Sequence, residues 1–392
     1  MREIAATIAQ RVAEPDDVVN AMHSFDEKNA THRSRIWTPA GLADGLSGAI
    51  LLLGALEGLT GDRKYTRALF KHARAAMEVY EQDSSLYGGW AGLAGALLMT
   101  NLDGRFADAL RVLAARLGDA MLAQTREPFA LPHSVNDYDL MLGYAGRAIP
   151  IGLHDRRVAG QLCEYLAWLL DDPASRMRVQ PPDMSQPLSV YFGAAHGVAG
   201  VLGALVILSG TMYRSTIMNA LAFLESSVIE RADGPTWLHT DTASPFSRNM
   251  VAWCHGPIGI AAVVEATCRH IGPDADRYTK LVKRTLESAL HGPSKPRVID
   301  GGLCHGRAGI ALLIAGLSHV SPGAAAVAGG LGRSLLDSYD PAVRFGYLKA
   351  GAGDKPVDGY DFLSGAIGIA LALLTLSGQC DAAWVQLLGV PL

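Results

Sequence analysis

The segment GPIGIAAVVEATCRHI at residues 256–271 joins a glycine-rich turn to a stretch with almost no polar face. Plotted on a helix, its apolar residues surround the axis, and such a helix must be buried on nearly every side. The first glycine permits a sharp turn into the helix, and the second allows close packing against neighbouring backbone. This segment therefore predicts an inner helix, enclosed by other helices.

The same pattern, Gly-x-x-Gly followed by an apolar run, recurs seven times along the chain. The first glycines are at positions 45, 92, 143, 197, 256, 306 and 365. Between them lie amphipathic segments such as residues 274–292, and Asp44 and Ser47 are suitable caps for an inner helix. Seven apolar helices inside seven amphipathic ones predict an all-α fold. We expect a double-layered α/α toroid of seven helical-hairpin repeats, forming one domain over residues 1–392.

Composition and charge argue against several classes of protein. The hydrophobic share is 49% and the charged share 18%, which predicts a large core rather than disorder. The net charge of −4, without a long basic run, argues against a nucleic-acid partner. Glu57 and Glu265 interrupt two apolar runs that are already short for a membrane span, so we expect peripheral membrane association at most.

The chain start and the cysteines indicate a cytoplasmic protein. MREIAATIAQRVAEPDDVV has charges among its apolar residues and predicts an amphipathic first helix, not a secretion signal. The five cysteines are an odd number, which favours free or metal-bound thiols over a disulfide framework.

The residues just before the glycines carry the chemistry. His196, His255 and His305 stand one position before a first glycine, and Cys254 and Cys304 stand two before. Loops that lead into the inner helices of a toroid meet at one end of its axis. Thiolate and imidazole are the ligands that Zn²⁺ prefers in tetrahedral geometry. Two Cys-His pairs would make a closed structural site, whereas a three-ligand site leaves one position open; the central location favours the open version, with His196 available for proton transfer.

Four motifs resemble the lanthionine synthetase C-like family, the LanC cyclases of lantibiotic biosynthesis. They are YDLMLGYAG at 138–146, AAHGVAG at 194–200, WCHGPIG at 253–259 and LCHGRAG at 303–309. With the seven repeats, the resemblance covers essentially the whole chain. It implies an α/α toroid with one catalytic zinc ion, acting on a leader-bearing, dehydrated precursor peptide.

The resemblance also implies roles for individual residues. The family's zinc ligands fall on Cys254, Cys304 and His305, its acid/base histidine on His196, and its acid on Asp139. Asp137 is the main rival for the role of Asp139, whereas Asp361 shares its register but has the character of a helix-end residue.

Other positions are more open. His255 is expected near the metal without binding it. The family has an arginine ahead of the first cysteine; Met250 occupies its usual place, so Arg248 is the candidate. Trp90 and Trp253 could line the cavity or belong to the core, and His239 is expected to be solvated in a loop over residues 233–248.

The implied reaction adds a peptide cysteine thiol to dehydroalanine or dehydrobutyrine and gives a lanthionine or methyllanthionine thioether. A free thiol has a pKa near ~8.5, so a metal that lowers it favours attack. Addition generates an enolate, which His196 would protonate. No kinase or dehydratase region precedes the repeats, so we expect a separate dehydratase, and a transporter is a further possible partner.

Two alternatives share parts of this pattern. A non-cyclising LanC-like protein that binds thiols such as glutathione would keep the same metal triad. A protein prenyltransferase is also a zinc toroid that activates a thiol. Such enzymes use an Asp, Cys and His ligand set and a partner subunit, and their motif spacing differs from the one seen here.

Overall fold

A computed structural model describes residues 1–28, 38–78, 83–101, 103–124, 129–232, 234–244, 251–291, 300–350 and 356–392. Most of these residues are helical, which confirms the predicted helical class. The helices are α1 (Arg2–Arg11), α2 (Pro15–Lys28), α3 (Leu46–Thr60), α4 (Arg63–Glu78), α5 (Trp90–Met99), α6 (Ala107–Gln124), α7 (Tyr144–His154), α8 (Arg156–Asp171), α9 (Pro173–Arg176), α10 (Val198–Ser209), α11 (Arg214–Ser226), α12 (Pro257–Ile271), α13 (Asp276–His291), α14 (Arg307–Gly316), α15 (Pro322–Asp337) and α16 (Ala366–Leu376). Short 3₁₀ helices lie at Val135–Asp137, Pro273–Ala275 and Ala383–Leu388.

Three antiparallel hairpins, which the sequence analysis did not predict, accompany the helices. Their strands are β1 (Arg178–Val179) with β2 (Ser189–Val190), β3 (Ile229–Arg231) with β4 (Gly234–Thr236), and β5 (Leu348–Ala350) with β6 (Pro356–Asp358). The second hairpin corrects the prediction of a surface loop over residues 233–248, because Trp237, which follows β4, is fully buried and donates a hydrogen bond to the Leu224 carbonyl (2.7 Å).

The helices after the glycine motifs are the buried ones. In α12 every residue from Pro257 to Cys268 is buried, and α10 is buried over most of its length. The amphipathic α13 buries Tyr278, Leu281 and Leu286 on one face. Within the described part of the chain, no helix is both long enough and apolar enough to cross a membrane.

Six of the seven predicted glycines directly precede their helix. Gly45 is the N-cap of α3, so neither Asp44 nor Ser47 occupies the N-cap position. The Ser47 hydroxyl instead donates to the Ala40 carbonyl (2.8 Å). Glycine is needed at position 45 because a Cβ there would lie 2.5 Å from the Gly41 carbonyl oxygen.

The second repeat begins three residues earlier than predicted. Helix α5 starts at Trp90, directly after Gly89, and Gly92 lies inside the helix. The Trp90 N–H donates to the carbonyl seven residues before it (3.0 Å), as the Arg307 N–H does at the start of α14 (3.0 Å). The error arose because the segment GGWAGLAG at 88–95 contains two overlapping Gly-x-x-Gly patterns.

The chain forms two compact units. The first comprises Met1–Leu110, Val298–Leu312 and Ala328–Trp384. Within it α16 packs against α1 and α3, and α3 packs against α5. The Phe362 N–H donates to the Ala43 carbonyl (2.9 Å), which makes the loops of the seventh and first repeats neighbours.

The second unit comprises Arg111–Arg297, Leu313–Val327 and Val385–Leu392. Its inner helices α7, α10 and α12 pack in chain order, with α8 against α7 and α10, and α13 against α12. The order of neighbours within each unit agrees with the predicted repeat arrangement. Closure of all seven repeats into a toroid stays a prediction.

Candidate metal centre

Cys254, Cys304 and His305 form a group that could hold a metal ion. Their candidate ligand atoms all lie within 4.8 Å of one another; Cys254 is buried and the other two are half-buried. Two thiols and one imidazole are a donor set that suits zinc, so the residues present fit the metal that the sequence implies. Three protein donors leave one position of a tetrahedron for a further ligand.

Main-chain contacts hold the loop that carries Cys304 and His305. The N–H groups of Leu303 and Cys304 both donate to the Leu363 carbonyl, at 2.7 and 2.9 Å. A Cβ on Gly302 would lie 2.6 Å from the Cα of Ser364. The sixth-repeat loop therefore needs glycine here to approach the seventh-repeat loop closely.

The loop that carries Cys254 is fixed in a similar way. The Cys254 carbonyl accepts a hydrogen bond from the Ala195 N–H (3.2 Å), and a Cβ on Gly193 would lie 2.3 Å from that carbonyl oxygen. Trp253 is fully buried and its Nε1 donates to the Leu388 carbonyl (2.8 Å). Trp253 thus belongs to the core, and Trp90 is also buried.

Asp139 and His196 form a buried carboxylate–imidazole pair. Asp139 Oδ2 lies 2.5 Å from His196 Nδ1, and the Asp139 side chain has no exposed surface. Its other oxygen, Oδ1, accepts the N–H groups of Leu142 (2.8 Å) and Gly143 (2.7 Å). An ionised carboxylate in this position selects the tautomer with the proton on Nδ1, which leaves Nε2 of His196 as the proton-accepting atom.

His255 stacks on His196 and is not among the three residues that cluster as metal donors in the described chain. The ring centroids are 4.9 Å apart and the rings are tilted by 15°. Burial lowers the pKa of His255, and the nearby His196 and His239 lower it further. The thiolate of Cys254 raises this pKa and offsets only part of the decrease. Among the described residues, the buried Nδ1 of His255 has no hydrogen-bond partner. This arrangement presents a neutral imidazole beside the acid/base candidate.

The remaining predicted residues lie elsewhere or outside the described chain. Asp137 is exposed and its Oδ2 accepts the N–H groups of His133 (2.7 Å) and Ser134 (2.9 Å), so it caps its own 3₁₀ turn. His239 is exposed, as expected. Arg248 and Met250 lie outside the described residues.

Sequence reasoning missed three groups near these loops. Asp300 lies 3.2 Å from His305, measured between Oδ2 and Nε2. Lys349, on β5, donates to Asp361 Oδ2 (2.5 Å). Tyr87 is buried near Cys304. Burial raises the pKa of Tyr87, and the negative charge of a Cys304 thiolate raises it further. An alignment continued to six positions before the first glycine would have shown Asp300, whereas nothing in the repeats points to Lys349.

Comparisons with known proteins give a family match and a match to a solved structure. The family model described as "Lanthionine synthetase C-like protein" matches residues 36–388. A solved structure titled "Nisin cyclase" has a TM-score of 0.71 and 20% identity, and the alignment covers 96% of this chain and 97% of that chain. At this identity the likeness shows a shared fold. No curated protein matches the sequence.

Proposed function

This chain belongs to the lanthionine synthetase C-like family, and we propose that it is a zinc-dependent cyclase. In this proposal its substrate is a dehydrated precursor peptide of the lantibiotic type, and its product contains lanthionine or methyllanthionine thioethers. The match over residues 36–388 bears out the resemblance that the motifs indicated.

One observation carries the proposal: two cysteines and one histidine whose ligand atoms lie within 4.8 Å of one another. Cys254, Cys304 and His305 would hold one zinc ion per chain. When bound, zinc supplies a positive charge that lowers the pKa of a substrate thiol at the fourth position. A closed four-ligand site would leave no position for a substrate, and three protein donors favour the open, catalytic kind.

The Asp139–His196 pair supplies the proton chemistry. The substrate sulfur loses its proton and bonds to the β-carbon of the dehydroamino acid, while the electrons of the double bond move toward the carbonyl and give an enolate. The α-carbon then takes up one proton. Nε2 of His196 can accept the first proton and deliver the second, so that no proton is gained or lost overall. Asp139 holds the ring through Nδ1 and stabilises its charged form (2.5 Å).

The pair also favours a cyclase over a protein that only binds thiols. Binding a thiol such as glutathione requires the metal donors but no acid/base group. Asp139 is fully buried and hydrogen-bonded through both oxygens, and it holds the imidazole of His196, a side chain suited to proton transfer. A prenyltransferase-like ligand set would contain an aspartate, and the cluster of donors here is two cysteines and a histidine.

The direct test is an assay with purified full-length protein. A synthetic peptide with one cysteine and one dehydroalanine is incubated with the enzyme, and the loss of alkylatable thiol at unchanged mass reports cyclisation. Metal analysis should give one zinc per chain, and Cys304→Ala should lose metal and cyclisation together while keeping its helix content. A metal-free protein with full activity would contradict the proposal, and zinc binding without cyclisation would favour the thiol-binding alternative.

A further inference from the structure

Asp300 is a buried carboxylate directly beside a proposed metal ligand. Its side chain is 4% exposed, and its Oδ2 lies 3.2 Å from His305 Nε2. Oδ1 accepts the N–H of Gly302 (2.8 Å). The Asp300 carbonyl accepts the Arg307 N–H (3.0 Å) at the start of α14. Asp300 thus accepts hydrogen bonds from residues on both sides of Cys304 and His305, and these bonds fix its position in the loop.

We propose that Asp300 is a positioning residue for the metal centre, which accepts the Nε2–H of His305 and so presents Nδ1 to the metal. This inference rests on the proposed function, because it assigns a partner to one of the zinc ligands. An imidazole ligand has to expose the lone pair of one nitrogen while the other nitrogen keeps its proton. A carboxylate at the second nitrogen fixes that tautomer, holds the ring in orientation and makes it a stronger donor.

The second repeat provides an internal comparison. Asp83 stands six residues before Gly89, as Asp300 stands six before the corresponding glycine of its own repeat. Asp83 Oδ1 accepts the N–H two residues on, at Ser85 (2.7 Å), and its carbonyl accepts the Trp90 N–H (3.0 Å). These are the same main-chain contacts that Asp300 makes. The residue before Gly89 is Gly88, so this loop has no imidazole in that register.

The comparison separates two duties of the aspartate. Holding the loop requires only the main-chain contacts, since the second repeat has them without a histidine. The contact between Asp300 and His305 is additional and belongs to the repeat that carries metal donors. A carboxylate can serve both duties because each of its oxygens accepts hydrogen bonds.

Asparagine distinguishes these duties experimentally. Its amide has one accepting oxygen and one donating nitrogen. In Asp300→Asn the single amide oxygen can replace Oδ1 as the acceptor for Gly302 or Oδ2 as the acceptor for His305. It cannot replace both carboxylate oxygens. If the oxygen keeps the loop contact, the amide nitrogen faces His305 Nε2, favours a proton on Nδ1 and so opposes metal binding there.

The experiment measures metal affinity, with no use of enzymatic activity. Full-length wild type, Asp300→Asn, Asp300→Ala, Asp83→Asn and Asp83→Ala are stripped of metal and titrated with zinc against a chromophoric chelator. We expect both Asp300 variants to bind zinc about 10–100-fold more weakly. The Asp83 variants should bind as wild type does. With cobalt in place of zinc, the Asp300 variants at saturation should give the wild-type absorption bands, because the ligand set is unchanged.

Each alternative outcome contradicts a different statement. Asp300→Asn with wild-type zinc affinity would overturn the positioning role and leave the proposed function intact. Altered cobalt bands at saturation would show that Asp300 is itself a ligand and would likewise overturn it. Equal losses of zinc affinity in the Asp83 and Asp300 variants would show that the aspartate acts only by holding its loop, and would overturn the positioning role. If the wild type binds no zinc, the proposed function fails as well.

Discussion

Asp139 in the third repeat and Asp361 in the seventh stand in the same register, and they hold different bases. Each uses Oδ1 to accept main-chain N–H groups of its own loop: Asp139 from Leu142 and Gly143, Asp361 from Ser364 (2.6 Å). Each uses Oδ2, at 2.5 Å, to hold a basic side chain from another segment. The two loops therefore share one design for a buried carboxylate.

The bases distinguish the pair proposed for proton transfer from a structural pair. Asp139 holds the imidazole of His196, and imidazole is the side chain that ordinarily changes charge near neutral pH. Asp361 holds the ammonium group of Lys349, and an ammonium group ordinarily stays charged over that range. The Leu363 carbonyl of the seventh-repeat loop accepts the Cys304 N–H (2.9 Å), so the Lys349–Asp361 pair stabilises a loop that supports a proposed metal donor.

The largest effect is expected at the proton-transfer pair. His196→Asn removes the proposed acid/base group but leaves the three proposed metal donors, so cyclisation should fall about 10²–10⁴-fold while one zinc per chain is retained. Peptide-thiol alkylation measures the rate, and metal analysis of the same preparation is the control. Unchanged turnover would remove the role assigned to His196, and zinc loss would mean that the histidine supports the metal instead.

The structural pair should show its effect in stability. Lys349→Met leaves the Asp361 carboxylate buried without its ammonium partner, which should lower the free energy of unfolding by about 3 kcal/mol. The double variant Lys349→Met/Asp361→Asn removes both charges and should recover most of that loss. Denaturant unfolding of the wild type and the three variants, including Asp361→Asn alone, measures the coupling. Additive effects of the two single changes would show that the pair does not act as an ion pair.

The repeats account for what could be predicted here. The register one and two positions before each glycine predicted Cys254, Cys304 and His305 as neighbouring donors, whereas the register that Asp139 shares with Asp361 did not distinguish the two aspartates. These residues occupy equivalent positions in the loops that precede the inner helices. Residues at the same distance from the glycine in sequence therefore have equivalent places in the fold. The family resemblance then assigned the roles.

The rest depended on contacts that the repeats do not encode. Lys349 reaches Asp361 from the hairpin of β5 and β6, an insertion between helices that has no counterpart in the helical period. The contact between the side chains of Asp300 and His305 depends on the folded conformation of their loop, which the sequence pattern does not reveal. The overlapping glycines of the second repeat supplied two equivalent registers. Only the folded structure separates them, through the hydrogen bond from the Trp90 N–H to the Asp83 carbonyl (3.0 Å) and the 2.4 Å between an added Cβ on Gly92 and the Leu86 carbonyl.

A substitution at His255 tests whether an apolar ring is tolerated beside the Asp139–His196 pair. His255→Phe should retain one zinc per chain, because the proposed metal donors are Cys254, Cys304 and His305. Phenylalanine can keep the stacking on His196, and it removes a buried Nδ1 that has no partner among the described residues. We expect the free energy of unfolding to stay equal or to rise by up to about 1 kcal/mol. Loss of zinc in this variant would instead support a four-ligand site.

The last effect, which depends on pH, concerns a buried histidine that has no carboxylate at hydrogen-bond distance in the described chain. His72 on α4 is fully buried; its Nδ1 lies 2.9 Å from the Ala68 carbonyl, and its Nε2 has no partner among the described residues. Burial lowers the pKa of His72, and the Ala68 carbonyl and the charges of Glu14 and Asp17 oppose it only in part.

The sign of the resulting pH dependence follows from this depressed pKa. In the unfolded chain an imidazole titrates near ~6.5, so below that pH the unfolded state binds a proton that folded His72 refuses. Stability should therefore fall as the pH drops below ~6.5, by at most about 1.4 kcal/mol per pH unit from this residue. Unfolding free energies of wild type and His72→Phe at pH 7.5 and 5.5 measure the effect, and the variant should lose less on acidification. Equal losses would mean that His72 gains its proton in the folded state, as a histidine held by a carboxylate does.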